Sequence, residues 1–331
     1  MTVSLRLSTT AARRAVRTVA ALGAVALLVT GCGSETDAGK SEAKGKADAA
    51  AGTRTVKDAT GRAVQVPANP QRIVTLTQED LDAVLALGLK PVGITNGQGL
   101  NKPPAYLADK VAGTEIVGNL LQPVMDKVIA AKPDLILAGD MQDEQVLKQL
   151  REITPATLVT MAPTDTWQLS LMGVGNAVNK LSVAQKVVSD YKANATAAGE
   201  KLGKNKGAEV SIVRWNPDGP SWMEKKQFAS GIALDMGLKR PKAQDKDGNA
   251  HTPALSLEKI NEVDGDWLFL STLTADGDKA FKDVQEKPAY KQLGAVKAGH
   301  VVTVNGSVWS TRGGPLAAQT VIDDISKALG K

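Results

Sequence analysis

The stretch SVAQKVVSDYKANATAAGEKLG, residues 182–203, sets the plan of this 331-residue chain. Its spacing predicts one unbroken helix. Ser182 and Gln185 form a capping-box pair that satisfies free backbone N–H groups of the first turn, and Gly203 can take the left-handed conformation that ends a helix. Val183, Val187, Tyr191, Ala195, Ala198 and Leu202 recur at helical spacing as one apolar stripe, whereas Lys186, Asp190, Lys192, Asn194 and Lys201 fall elsewhere. At 1.5 Å per residue the helix runs about 30 Å, enough to join two lobes. It reads as a spine rather than a core helix of either lobe, and a single rigid helix implies only a small hinge motion on ligand binding.

The flanking sequence is duplicated about this helix. MDKVIAAKPDLILA (residues 125–138) and LEKINEVDGDWLFL (residues 257–270) share an order: apolar, acid, Lys, branched apolar, then Asp leading into an apolar strand. Asp126 to Asp134 and Glu258 to Asp266 are both eight apart, and the midpoint of positions 126 and 258 is 192, inside the helix. Two similar lobes of roughly 130 residues each fit the usual domain size.

The apolar fraction, 43%, supports two cores. Of 40 basic side chains, Arg6, Arg13, Arg14 and Arg17 precede Cys32 and no acid does, leaving 36 basic against 35 acidic side chains from Cys32 onward. A nearly neutral chain with scattered Lys carries no nucleic-acid face, so no nucleic-acid partner is expected. The four Arg followed by the apolar run 19–29 read as an export signal over residues 1–31, the run being shorter than the roughly 20 residues of a membrane-spanning helix. Val29-Thr30-Gly31-Cys32 resembles a bacterial lipobox, which makes Cys32, the only cysteine, a lipidation site and rules out an intramolecular disulfide. Residues 32–53, small and polar, form a flexible tether. The expected division is therefore signal 1–31, tether 32–53, N-terminal lobe 54–181, linking helix 182–203 and C-terminal lobe 204–331. The folded part is expected outside the cytoplasmic membrane, held there as a lipid-anchored monomer.

Within the first lobe, residues 55–66 read as a hairpin turning at Ala59-Thr60-Gly61. Thr77 with Asp80 starts a helix whose inner face carries Leu81, Val84 and Leu85 and which stops at Gly88. Strands at 72–76, 91–94, 115–117, 134–138 and 157–161 alternate with helices around Asp126 and over 143–153. The second lobe repeats the theme, with strands at 208–215, 267–270 and 301–304, a helix at 228–237 and a final amphipathic helix at 315–329. The fold class is α/β with mainly parallel sheets.

RIVTL (72–76), GLKPVG (88–93), AAKPDLILAG (130–139), QLREITPATLV (149–159), Gly237-Leu238-Lys239-Arg240-Pro241 and WSTRGGPLAA (309–318) occur in this order. Together they resemble the periplasmic binding proteins for ferric siderophores, haem and cobalamin. The resemblance spans residue 55 to the C-terminus and implies two Rossmann-like lobes joined by one long α-helix, a cleft between them, and delivery of the ligand to an ABC permease. It also implies that one acid on each lobe's outer surface, here Asp126 and Glu258, meets the permease subunits.

Open α/β sheets place ligands just past the C-terminal ends of their strands. That rule nominates Thr77, Asn96, Asn119 and Met141 from the first lobe and Arg214, Trp215, Trp222, Trp309 and Arg312 from the second. Tryptophan offers a broad apolar face, and arginine a planar fork for hydroxamate, carboxylate or catecholate oxygens. Two arginines suit a near-neutral ferric hydroxamate better than a highly anionic complex. No metal site and no cofactor of the protein's own is expected: His251 and His300 share no ligand spacing, and iron arrives within its siderophore. Haem would want an axial His or Tyr, and Tyr106, Tyr191 and Tyr290 have no such context. An enzyme is the rival class, but no nucleophile elbow, phosphate-binding glycine loop or zinc pattern is present in the sequence.

Overall fold

The computed structural model describes residues 52–330. The signal segment, Cys32 and all but the end of the tether lie outside the described residues. In chain order the first lobe contains β1 (Thr53–Lys57), β2 (Ala63–Pro67), β3 (Ile73–Thr75), α1 (Gln78–Ala86), β4 (Gly93–Thr95), β5 (Glu115–Asn119), β6 (Gln122–Pro123), α2 (Met125–Ala130), β7 (Leu135–Leu137), α3 (Glu144–Ile153), β8 (Thr157–Leu158) and α4 (Trp167–Ala177). After α5 (Leu181–Glu200) come β9 (Val210–Asn216), β10 (Gly219–Trp222), α6 (Phe228–Asp235), β11 (Trp267–Ser271), α7 (Ala275–Gln285), α8 (Pro288–Lys291), α9 (Gly294–Lys297), β12 (Val301–Thr303), α10 (Gly306–Trp309) and α11 (Pro315–Leu329).

Strands β1 and β2 form a separate hairpin, its turn organised by Asp58, whose carboxylate accepts the N–H groups of Thr60 and Arg62 at 3.0 Å each. The first-lobe sheet has the order β6-β5-β4-β3-β7-β8 and is parallel except for β6. The second-lobe sheet has the order β10-β9-β11-β12 and is parallel except for β10. The alternation of apolar strand and helix in the sequence thus yields the doubly covered parallel sheets that its burial demands.

The duplicated aspartates do the same work in both lobes. Asp134, ahead of β7, accepts the N–H groups of Gln71 and Arg72 at 2.7 and 2.9 Å, and Asp266, ahead of β11, accepts that of Glu209 at 2.8 Å. Each ties the start of one strand to the start of its parallel neighbour.

The spine differs in detail from the sequence expectation. It begins at Leu181 after Lys180, whose side chain makes no cap, so Ser182 is inside the first turn. The reason lies in the preceding turn: Asn179 takes a positive φ of 58° and the Lys180 N–H closes back onto the Gly175 carbonyl at 2.7 Å. The buried face is also rotated, with Ala184, Tyr191, Ala195 and Gly199 inside and Val183 39% exposed. The helix is a core element, not an isolated strut. One apolar cluster runs without a break from Val56, Leu137 and Trp167 through Tyr191 and Ala195 to Ile212, Phe269 and Ile325, so the lobes share a core in addition to their own.

Contact between α5 and α6 is backbone to backbone. A Cβ at Gly199 would lie 2.0 Å from the Met236 carbonyl oxygen. Gly199→Ala should therefore force the two helices apart at a cost of about 1–3 kcal/mol. Thermal unfolding should show the midpoint falling by about 2–4 °C per kcal/mol for a chain of this size; an unchanged midpoint would contradict so close a contact.

Candidate functional site

Helix α1 carries Gln78, Glu79, Asp80 and Asp82, and all four are buried. Thr77 caps it, accepting the Asp80 N–H at 3.2 Å. Asp80 accepts the Thr160 hydroxyl at 2.6 Å and the Gly139 N–H at 2.8 Å, which ties the ends of β7 and β8 to α1. Asp82 reaches the other end of the chain: it accepts the N–H groups of Leu316 and Ala317 at 2.8 and 3.0 Å, and the Tyr106 hydroxyl at 2.9 Å. Gln78 donates to the carbonyls of Ser307 and Arg312 at 2.9 and 3.0 Å. The loop from α10 to α11 is thereby stitched to the first lobe. Burial pushes the carboxyls of Asp80 and Asp82 up to about 6 each, against the hydrogen bonds that favour their charged forms.

The residues nominated at the strand ends divide into three groups. Trp215, Trp222 and Trp309 are core residues, not cleft walls, with exposures of 3%, 2% and 1%. Trp215 alternates with Arg214 along β9 and so points to the opposite face, against Phe281 at 5.5 Å between rings. The Trp222 indole N–H donates to Glu262 at 3.4 Å, and Trp309 lies flat on Phe269 at 4.7 Å with its N–H on Asp324 at 2.9 Å. The indole N–H groups of Trp222 and Trp309 are satisfied inside the second lobe, and all three rings are buried. Thr77 and Met141 are likewise structural, the first as a cap and the second 4% exposed in the first-lobe core.

Arg312 spans the lobes. Its guanidinium pairs with Asp140 at 3.1 Å and also donates to the Pro163 carbonyl, so its charge is committed to a first-lobe partner. Asn249 donates to the same carbonyl at 3.5 Å.

Asn96 and Asn119 are brought together at the ends of β4 and β5, where the Asn96 amide donates to Asn119 at 2.9 Å. Beside them Gly97, Leu100, Asn119 and Gln122 border an open hollow of about 760 Å³. On the second lobe, Arg214 is half-buried at the end of β9 and makes no salt bridge among the described residues, and its Nε is buried without a partner. Burial lowers its pKa. His251, for which the sequence offered no ligand spacing, bridges to Met223 alongside β10, and its Nε2 is also buried without a partner. Burial, with the nearby Arg214 charge second, pulls its imidazole down to about 4, so the ring is neutral at physiological pH. Arg214 stands at the C-terminal end of the parallel sheet, level with the last residue of β11, and its unpaired nitrogen is a group that a ligand oxygen would satisfy, whereas His251, opposite Met223, lies level with the middle of β9.

Asp126 and Glu258 are both exposed, the first in the opening turn of α2 and the second in the 3-10 segment Leu257–Val263. Exposed apolar residues accompany them: Val124 at 48% and Ile129 at 54% near Asp126, and Leu257 at 43% beside Glu258.

Two mainly parallel sheets tied by one long helix, with unpaired polar groups at their strand ends, define a solute receptor. The chain belongs to the periplasmic binding protein family, whose profile matches residues 73–307. It is 34% identical over 309 residues to a probable siderophore-binding lipoprotein, YfiY, of Bacillus subtilis, covering 90% of this chain and 93% of that one. It is 27% identical to the Fe(3+)-citrate-binding protein YfmC of the same organism, over 92% of this chain and 93% of that one. Among solved structures, Staphylococcus aureus SirA complexed with staphyloferrin B superposes with a TM-score of 0.74 at 25% identity, covering 84% of this chain and 98% of SirA. The family is one of binding proteins for transport, not of enzymes.

Glu79 differs from its helix neighbours. It is 8% exposed, and burial pushes its carboxyl up to about 8 from 4.5, against a lowering by its own backbone N–H and raised further by Asp80. The folded chain therefore keeps a proton over a range in which the unfolded chain has released it. The stabilisation is complete below the ordinary value of 4.5 and is lost as pH rises through about 8. Glu79→Gln should remove that part of the slope, so that the variant gains stability over the parent between pH 5 and 8; parallel unfolding midpoints for the two proteins across this range would refute it.

Proposed function

We propose that the protein is the lipid-anchored, extracytoplasmic receptor of an ATP-driven importer, and that its cargo is a ferric siderophore of near-neutral charge, a hydroxamate first of all. The observation that carries the reading is the unpaired Arg214 at the end of β9, with His251 nearby. Arg312, already neutralised by Asp140, adds no net positive charge for an anionic complex. One free guanidinium and polar amides at Asn96 and Asn119 match a chelate that shields its own iron and presents a few oxygens. Names of relatives point to ferric chelates in general, a siderophore and ferric citrate among them.

Haem is a second reading, favoured by one feature: the free Nε2 of His251 is of the type that ligates haem iron. The tyrosines offer nothing comparable. Tyr191 and Tyr290 are 5% and 4% exposed, and the Tyr106 hydroxyl is held by Asp82.

Delivery follows from the two exposed acids. Asp126 and Glu258, in matched positions about the spine, dock one acid of each lobe on each of two permease subunits, while Cys32 carries the lipid that keeps the receptor, a monomer, at the membrane surface.

The cargo is tested by titrating the full chain in detergent with a ferric hydroxamate, alongside ferric citrate, a ferric catecholate, haemin and cobalamin. The hydroxamate should bind, and Arg214→Ala should weaken it roughly tenfold to hundredfold, the worth of a charge-assisted hydrogen bond. Binding of haemin alone would give the site to the second reading, and binding of anionic complexes alone would sink the charge argument. For docking, Asp126→Lys with Glu258→Lys should leave that affinity intact and abolish uptake in cells; uptake at the parental rate would show that the acids are ordinary helix-start residues.

A further inference from the structure

A cavity of about 270 Å³ lies where α1, α4, α5 and α6 meet. Of the residues nominated for the cargo it touches only Arg312. Trp167, Tyr191 and Phe228 supply aromatic surface, with the Trp167 and Tyr191 rings edge to face at 4.7 Å. Gly231 lines it too, from the interior of α6. Glycine there costs about 1 kcal/mol relative to alanine. No neighbour demands it, since a Cβ at Gly231 would meet nothing within 4 Å. What the missing side chain preserves is the open space.

Three carboxyls border the cavity, and two are engaged: Asp235 accepts the Tyr191 hydroxyl at 2.6 Å and Asp165 accepts the Ala162 N–H at 2.7 Å. Glu79 accepts from no other residue among the described ones and makes no ion pair, although it is 92% buried by its 8% exposure. The cations at the rim are taken elsewhere, Lys225 by Asp245 at 2.9 Å, Lys226 by Asp247 at 3.3 Å and Arg312 by Asp140 at 3.1 Å. An unpaired buried carboxyl against an aromatic wall is costly to the fold and is the environment an ammonium group would relieve.

We propose that this cavity is a second binding site, for a small organic ammonium whose nitrogen pairs with the Glu79 carboxylate and whose apolar or aromatic body lies against Trp167, Tyr191 and Phe228. The site is independent of the ferric cargo, and a chain that bound no ferric complex would still test it. Pairing requires Glu79 to lose its proton. The groups that set this ionisation are Asp80 and Asp140, which resist it, Arg312, which favours it, and Tyr106, held by Asp82. Binding therefore releases one proton below pH about 8, and affinity rises roughly tenfold per pH unit up to that point.

The test is calorimetric titration of the full chain in detergent with phenethylamine, beside its neutral isostere 2-phenylethanol and the anion 3-phenylpropanoate. The amine should bind saturably at pH 8, more weakly at pH 6, with proton release visible as a dependence of the heat on buffer ionisation enthalpy. The alcohol and the anion should bind at least tenfold more weakly. Glu79→Gln should weaken the amine by roughly tenfold to hundredfold and flatten its pH profile, and Gly231→Leu should block the site by filling it. The proposal is overturned if amine and alcohol bind the parent chain alike, if the amine does not bind at pH 8, or if a folded Glu79→Gln protein keeps both affinity and pH profile.

Discussion

The polar join between the two ends of the folded chain depends on a carboxylate removed from water, that of Asp82. It stands on α1 of the first lobe and accepts the first free N–H groups of α11, whose sequence lies at the far end of the chain. A helix N-terminus presents unsatisfied donors and a positive dipole end, so an acid placed there satisfies both at once. The geometry explains the glycine before Pro315: a Cβ at Gly314 would lie 2.6 Å from the Asp82 oxygen. Gln78 and the pair of Arg312 with Asp140 extend the same seam.

A seam of this kind, over an apolar core continuous between the lobes, fixes the two lobes against each other. The groups left for a ligand are then few and fixed. Arg214 stands on a strand paired on both sides, and His251 is held by its bridge to the neighbouring strand region. Affinity in such a site comes from satisfying nitrogens that are already in place, without an ordering cost at the moment of binding.

Much of the fold was legible in the sequence because it rests on local signals. Thr77 as a cap, Gly88 as a stop and the matched Asp134 and Asp266 all act on neighbours close in sequence or on the strand beside them. The site was less legible. Tryptophans at strand ends were read as cleft walls, but their partners, Phe281, Glu262 and Asp324, are distant in sequence and invisible to periodicity. The alternation along β9 did carry a usable signal, since Arg214 and Trp215 must face opposite ways. His251 was missed because its place is set by a bridge to Met223, 28 positions earlier. Of the acids of α1 only Asp80 enters the sequence reading, with Thr77 at the helix start; that three acids, Glu79, Asp80 and Asp82, fall within four residues is the sign of a buried polar seam that it passes over.

The central claim is that the seam holds the lobes in one arrangement, so that Asp126 and Glu258 stand at a fixed separation. The most direct test is the distance between spin labels at Asp126→Cys and Glu258→Cys, in a Cys32→Ser background, measured by pulsed electron resonance with and without the ferric ligand. The account predicts one narrow distribution that binding shifts only slightly, as a small hinge motion would; a second, well-separated distance that appears or vanishes with ligand would contradict it.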